Sequence, residues 1–540
     1  MELLRGKLQE AIGMKRFLLV LDDVWNEEQR QWDDDLKPLL CSSNGGSGCM
    51  IVVTSRSQQV ASIIGTLPPY GLACLSEDDS WKLFTKKAFN KKGAQEQPDE
   101  LVTFGKRIVD RCKGLPLALK TMGGLMSSMH QVQEWETIAE SNMGDIGNEV
   151  LSILKLSYRY LSSEMKQCFT FCAVFPKDYE MEKDKLIQLW MANGFIHEKG
   201  NMDLTRKGEL VFNELVQRSF LQDVKMKYIY DSGYRRATGC KMHDLMHDLA
   251  RDVTDECAFA AEFIDKKISM KKEGVRHMQV SRNELKEING LLKPISSSLR
   301  TLLAQRESND PTEIKLMSLR ALQCPCPPVI HNNQLLNTIH LRYLDISGSS
   351  IVRLPDSICL LYNLQSLRLN YCYQLQYLPE GMATSLRKLS HIYLLRCVNL
   401  ERMPPKLGLL RNLRTLTKFI VGTGDGFGIE ELKDLRHLSN RLELYNLRNV
   451  KSGSEANLHE KQNLSELLLC WGGGQICYPT DVVDASNEEQ VLESRTTSTR
   501  CAQTFEGAWV WWRGNSTMDE GAPGITALER SQYFPLPKMC

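Results

Sequence analysis

Phe17-Leu18-Leu19-Val20-Leu21 runs directly into Asp22-Asp23-Val24-Trp25. Five consecutive apolar residues ending in two carboxylates predict a buried strand of a parallel sheet, with the acids delivered to its carboxyl edge. Open α/β sheets bind ligands at that edge. An aspartate there can hold Mg²⁺ against phosphates or position an attacking water. The usual companion of such a strand is the phosphate-cradling loop G-x-x-x-x-G-K-[ST], upstream in P-loop folds. Sixteen residues precede Phe17, and the loop occurs neither there nor elsewhere in the 540 residues. The expectation at this point is a phosphate-binding sheet without its phosphate grip.

Outward from this strand, a second apolar run, Met50-Ile51-Val52-Val53, ends in Thr54-Ser55-Arg56. A polar, helix-compatible stretch from Glu27 to Leu40 and a Gly-Ser loop at 42–48 join the two, which is a βαβ pattern. From Ser76 the period becomes helical. Ser76-Glu77-Asp78-Asp79 predicts an N-cap with an acidic first turn, and Trp81, Phe84, Ala88 and Phe89 share one face. Residues 1–75 are therefore expected to be a nucleotide-domain remnant and 76–145 a small helical domain. A helical and mixed unit is expected over 146–265, densest at Leu186-Ile187-Gln188-Leu189-Trp190-Met191.

Bulk properties narrow the classes. The 67 basic and 66 acidic residues leave a net charge of +1, which predicts no long-range attraction to nucleic acid or anionic membrane. No apolar run approaches the roughly 20 residues of a membrane span. The first strand is too short for a secretory signal, so cytoplasm or nucleus is the expected compartment. Most of the 17 cysteines sit singly in apolar stretches, as do Cys168, Cys172, Cys372 and Cys397. Reduced core thiols are expected.

A repeat follows. Leu341-Arg342-Tyr343-Leu344-Asp345-Ile346 recurs at Leu364-Gln365-Ser366-Leu367-Arg368-Leu369, at Leu389-Ser390-His391-Ile392-Tyr393-Leu394 and at Leu413-Arg414-Thr415-Leu416. The offsets of 23, 25 and 24 residues match the leucine-rich repeat pattern. Weaker units begin at Leu299, Leu319, Leu442 and Leu464. Each unit places a short strand on a concave face and must stack on its neighbours to bury its leucines. The expected array covers 290–475, and 476–540 is expected to be an atypical, disordered tail.

The order of these motifs resembles the plant disease-resistance proteins of the coiled-coil NB-ARC leucine-rich repeat family. The resemblance rests on Leu18 to Trp25, on Ile51 to Arg56 and on Gly114-Leu115-Pro116-Leu117-Ala118-Leu119. It continues through Cys168-Phe169-Thr170-Phe171-Cys172-Ala173-Val174-Phe175-Pro176, Met242-His243-Asp244 and the repeats. It implies an α/β P-loop-type remnant, then a helical domain, a winged-helix domain and an α/β leucine-rich repeat solenoid. The coiled coil and phosphate loop of that family are not in the sequence, so a truncated form is expected. The resemblance implies an intracellular immune receptor switched by ADP and ATP with Mg²⁺, with nucleotide binding impaired here and at most weak ATPase activity. It assigns Asp22 to Mg²⁺ and Asp23 to the catalytic-base position. Arg56 would sense the γ-phosphate, Pro116 would pack near the adenine, and His243 would hydrogen-bond the ADP β-phosphate. Implied partners are a pathogen effector or guarded host protein at the repeats, with intramolecular contacts between repeats and NB-ARC region.

Rival readings remain open at this stage. A leucine-rich repeat scaffold or decoy needs no nucleotide. His243 and His247 at i and i+4, with Cys240, echo the spacing of zinc sites; the alternative is an amphipathic helix with Leu245, Met246 and Leu249 inward. Lys266-Lys267 and Lys271-Lys272 could contact nucleic acid, but such pairs more often form a solvated face.

Overall fold

The computed structural model describes residues 16–24, 50–89, 98–141, 149–197, 203–229, 235–254, 257–259, 274–280, 295–304, 317–325, 338–450, 453–470 and 510–513, with residues 7, 29 and 32. Most of the linking stretch from Glu27 to Leu40, the loop at 42–48, the lysine pairs at 266–272 and most of 471–540 lie outside them. The chain divides into two units, Met1–Ser76 and Glu77–Cys540.

In the first unit, β1 (Leu18–Leu21) pairs in parallel with β2 (Met50–Val53). Helix α1 (Gln58–Ile64) follows, capped by the Ser57 hydroxyl, which accepts from the Val60 amide. The expectation of a buried first strand is corrected. Leu18 and Val20 are 64% and 56% exposed, and Met50 is 61% exposed. A continuous apolar run suits cover on both faces, whereas among the described residues this sheet holds only β1 and β2.

The second unit opens with α2 (Glu77–Ala88), α3 (Asp99–Arg111), α4 (Pro116–Met126), α5 (Val132–Glu140) and α6 (Glu149–Arg159). Glu77, Asp78 and Asp79 occupy the first turn of α2, where carboxylates suit the positive end of the helix dipole. Phe84, Ala88 and Phe89 are buried as the periodicity predicts, and Phe89 stacks on Trp135 at 5.4 Å. Helix α4 is shared between two cores. Ala118, Leu119 and Met122 pack with Phe84 and Trp135, whereas Leu117 packs with Phe169 and Leu215.

The next layer comprises α7 (Ser163–Phe171), β3 (Met181–Glu182), α8 (Lys183–Asn193), α9 (Leu204–Gln217), the hairpin β4 (Gln222–Ile229) and β5 (Arg235–Lys241), and α10 (Asp244–Asp252). The strands form an antiparallel sheet in the order β3-β5-β4. Helices α7 to α9 with this three-stranded wing are a winged-helix arrangement, and α10 follows the wing. Gly194 ends α8 in the left-handed region at φ +75°, the conformation for which glycine carries no Cβ penalty. A Cβ on Gly124 would lie 2.7 Å from both Arg218 Cα and Gln217 O, so α4 meets the end of α9 backbone to backbone. Gly124→Ala should therefore lower stability by about 1–3 kcal/mol, read by urea unfolding. An unchanged midpoint would show that the two helices separate freely.

The repeats form an eight-stranded parallel sheet. Its strands are β6 (Cys257–Phe259), β7 (His277–Val280), β8 (Thr301–Ala304), β9 (Ala321–Gln323), β10 (Tyr343–Asp345), β11 (Ser366–Arg368), β12 (His391–Tyr393) and β13 (Thr415–Leu416). A second sheet continues with β14 (Lys418–Ile420), β15 (Asn440–Tyr445), β16 (Leu464–Leu469) and β17 (Val510–Arg513). One core runs from Val275 to Leu469 beneath both. Cys372 Sγ lies 3.4 Å from Ile346 O and Cys397 Sγ 2.9 Å from Leu369 O, so each thiol ties one repeat to the backbone of the one before it. Cys168, Cys172, Cys372 and Cys397 are free and buried, and burial pushes the Cys397 thiol up to about 12.

Two features differ from expectation. Strand pairing begins at Cys257, before residue 290, because Val275-Arg276-His277-Met278-Gln279-Val280 supplies a repeat strand with Val and Met in the leucine positions. In the expected disordered tail, β17 pairs antiparallel with β16 across Leu468 and Trp511. Its backbone covers an edge that would otherwise present open hydrogen-bonding groups.

Candidate functional site

The parallel register sets Leu21 beside Val53, so the residues after each strand emerge side by side. The Asp23 amide donates to Thr54 Oγ1 at 2.8 Å, and the Thr54 hydroxyl donates to Asp22 Oδ1 at 2.5 Å. The Ser55 hydroxyl donates to Val24 O at 2.8 Å. Arg56 Nε lies 3.4 Å from Asp23 Oδ1. The first unit thus brings Asp22, Asp23 and Arg56 together at one sheet edge. Asp23 holds a left-handed backbone at φ +55°, which aspartate tolerates better than most residues and which recurs at functional sites. The Arg56–Asp23 pair is half-exposed. Such pairs contribute at most about 1 kcal/mol, so Arg56 can exchange this partner for another anion at little cost.

Thr54 is the residue that sequence reasoning passed over. Its hydroxyl both accepts from one acidic residue's backbone and donates to the other's carboxylate. Its position directly after β2, opposite Asp22, was the available signal. Asp22, Asp23 and the Thr54 hydroxyl form an oxygen-rich set of the kind that Mg²⁺ favours.

Pro116 and His243 lie in the second unit, each at a helix start. Lys113 and Gly114 turn the chain through the left-handed region at φ +48° and +70°. Leu115 is extended, as the residue before a proline must be, and Pro116 opens α4 at its first position. There its missing amide hydrogen costs nothing. His243 is the exposed N-cap of α10, and its Nδ1 accepts from the Leu245 amide at 3.1 Å. In the neutral ring an accepting Nδ1 leaves the proton on Nε2, which makes Nε2 a donor suited to an anion.

The same geometry removes the basis of the zinc reading. His243 is the N-cap, and its Nδ1 is turned onto the Leu245 amide. His247 is buried, and its Nε2 lies 2.8 Å from Phe175 O, which anchors α10 to the turn after α7. Cys240 is buried in the same core, and burial pushes its thiol up to about 12. Met246 and Leu249 face the core, as in the amphipathic alternative.

Helix α8 is buried on all sides from Leu186 to Asn193 because its polar side docks on the repeat strands. Gln188 Nε2 donates to Tyr393 Oη at 2.7 Å, Lys185 Nζ to Gln323 Oε1 at 2.7 Å, and Asn193 Nδ2 to Thr301 Oγ1 at 2.9 Å. Glu182 pairs with Arg368 at 2.7 Å, and Asp203 with Arg414 at 2.9 Å. The Arg368 guanidinium lies over the Tyr393 ring at 4.3 Å. Winged helix and repeats are therefore joined by a largely polar, buried seam on the strand face.

Three family matches cover the chain in order. Residues 1–94 match the NB-ARC domain, 174–250 the disease resistance protein winged helix domain, and 304–511 a leucine-rich repeat region. Disease resistance protein RGA2 of Solanum bulbocastanum is 39% identical over 502 residues, 91% of this chain and 47% of that one. Disease resistance RPP13-like protein 4 of Arabidopsis thaliana is 30% identical over 457 residues, 80% of this chain and 51% of that one. The chain spans about half the length of these curated relatives. Among the described residues no helix is long and apolar enough to cross a membrane. With the nucleotide-type strand edge, the winged helix and the repeats following one another in this order, the chain belongs to the NB-ARC leucine-rich repeat family of plant disease-resistance proteins.

Proposed function

We propose that the chain is part of a plant immune receptor of the ADP/ATP switch type rather than a turnover enzyme. The observation that carries this reading is the meeting of Asp22, Asp23, Thr54 and Arg56 at the carboxyl edge of two parallel strands. Asp22 and Thr54 would hold Mg²⁺, which screens phosphate charge when bound. Arg56 would leave Asp23 for a terminal phosphate, a charge-assisted bond stronger than a neutral one. Asp23, so released, would be placed to orient a water. By the family resemblance Pro116 would pack near the adenine and His243, at a helix start, would donate to the ADP β-phosphate. The remaining concave surface of the repeats would meet a pathogen effector or a guarded host protein, while the α8 seam occupies part of that face.

An isolated polypeptide of these 540 residues is expected to hold ADP weakly, because the sequence contains no G-x-x-x-x-G-K-[ST] loop. Two charge-assisted phosphate bonds contribute about 3–6 kcal/mol, so their lack would lower affinity by about two to four decades. Titration calorimetry with ADP and Mg²⁺ measures this. Millimolar binding that Asp22→Ala weakens further supports the assignment. Submicromolar binding would refute the impairment, and binding indifferent to Asp22→Ala and His243→Ala would refute the site.

A further inference from the structure

The chain turns into successive repeats in the same way. The amides of Leu341, Leu364, Leu389, Leu413 and Leu438 each donate to the carbonyl three residues back, at 2.8 to 3.4 Å. The residue two places before each leucine is therefore the corner of a tight turn. The residues there are Ile339, Tyr362, Arg387, Arg411 and Arg436, and Met317 holds the same place before Leu319. All six are exposed, Met317 at 57%, Ile339 at 40% and Tyr362 at 52%. The turn edge thus carries a single file of three apolar residues followed by three arginines. Leu360, 48% exposed in the turn before Tyr362, adds to the apolar half.

The fold itself does not call for this order. Single exposed hydrophobics are ordinary, but three in consecutive repeats at one position form a stripe, and exposed stripes mark interaction sites. The arginines have weak partners. Arg387 donates to main-chain oxygens, Thr384 O at 3.0 Å and Leu409 O at 3.1 Å, which hold its guanidinium on the edge. Arg411 and Arg436 lie 3.7 and 3.9 Å from Asp434 and Glu460, and exposed pairs of that length contribute little. Lys388, beside Arg387, donates to Asn363 Oδ1 at 2.8 Å and so ties the basic half to the turn that carries Tyr362.

We propose that this edge binds an extended segment of a partner protein, apolar in one half and acidic in the other. Five steps of about 4.8 Å make the stripe roughly 24 Å long, the reach of about seven extended residues. Met317, Ile339 and Tyr362 cover the apolar half of the segment, and the guanidinium forks take its carboxylates. A lipid surface fits less well, because the stripe is one residue wide and Asp434 and Glu460 beside the arginines would face anionic headgroups. The surface lies at the turn edge, off the concave face, and stands whether or not the β1–β2 edge holds a nucleotide.

The test titrates the full chain with a dye-labelled peptide of four apolar residues followed by four glutamates, read by fluorescence anisotropy at about 0.05 M ionic strength, where surface charges act over more than about 10 Å. Saturable binding is expected, weakened at least about tenfold in Arg411→Gln/Arg436→Gln and at least about threefold in Tyr362→Ser. Val352→Ser/Arg353→Gln removes an exposed apolar residue and a neighbouring cation elsewhere on the repeats and should leave binding unchanged. A peptide of the same composition with its two halves interleaved should bind at least about fivefold more weakly. All variants should melt with the parent, as exposed substitutions do. Each half of the stripe has its own variant, so a folding defect in one leaves the other to decide. Absence of saturable binding, equal binding of the interleaved peptide, or an equal loss in the control variant overturns the proposal. So does retention on phosphatidylserine vesicles that Arg411→Gln/Arg436→Gln abolishes, since the edge would then read a lipid surface.

Discussion

Glu182→Ala is expected to destabilise the protein by about 3 kcal/mol, the low end for breaking a buried ion pair. Arg368 is 3% exposed and loses the Glu182 carboxylate, 2.7 Å away. Its contact with Gln188 Oε1 at 3.3 Å and the face of Tyr393 cannot replace a carboxylate. Glu182 itself is about one-third exposed, which keeps the loss from the upper end. The damage should fall on the seam between winged helix and repeats. Urea unfolding should show a lower midpoint, and hydrogen exchange should rise in both α8 and β11. Replacing both partners, as in Glu182→Leu/Arg368→Met, should recover much of the loss, since no charge is then stranded. A single-variant loss below about 1 kcal/mol would show that water already reaches Arg368.

Acid should open the same seam. His277 and His391 are buried on the strand face. His277 meets the ring of Phe171 edge-on at 5.0 Å, and its Nδ1 lies 3.0 Å from Thr301 Oγ1. His391 Nδ1 lies 3.0 Å from Thr415 Oγ1, and its Nε2 3.4 Å from Thr205 Oγ1. Burial above all, with nearby arginines second, pushes both rings down to about 3. The unfolded chain takes up these protons near pH 6.5 and the folded chain only near 3. Unfolding therefore binds more protons throughout that window, and stability falls as pH drops through it. At pH 5 each histidine would account for about 2 kcal/mol of lost stability, and the two together about 4. Urea midpoints at pH 7, 6 and 5 measure this, with a His277→Gln/His391→Gln variant as comparison. Most carboxylates stay ionised above pH 5, so the variant should keep only the shallower slope left by His247, whose ring is also pushed down by burial. An equal slope in parent and variant would show that other groups set the acid response.

The repeats were legible in the sequence because their signal is periodic. Leu344, Leu367 and Ile392 must all point into one core, and a phase of 23 to 25 residues is the only way to stack them. The unit at Val275 escaped notice because Val and Met satisfy the same burial without spelling leucine. The strand edge was legible in part. Runs of apolar residues ending in Asp22-Asp23 and in Thr54-Ser55-Arg56 announce two parallel strands, and the parallel register alone then sets Asp22 beside Thr54. What failed there was burial, since an apolar run states what a strand can tolerate on its faces and not what is present to cover them.

The seam was decided by tertiary structure alone. Glu182, Lys185, Gln188 and Asn193 look like the solvated side of an amphipathic helix, and Arg368, Tyr393 and His391 look like variable positions of a repeat. Their meanings emerge only when residues some 100 to 200 positions apart meet, as Gln188 meets Tyr393 across 205 residues. Hydrophobic patterning reports which side chains leave water, because that preference belongs to each residue by itself. A buried polar contact is a property of two residues at a defined distance and angle, and no periodicity along one chain segment encodes it. The same holds for His247, whose partner Phe175 lies 72 residues away. Local sequence determined the strands, helices and caps of this protein; the packing of α8 against the repeats determined which of their polar groups became charges that must be matched.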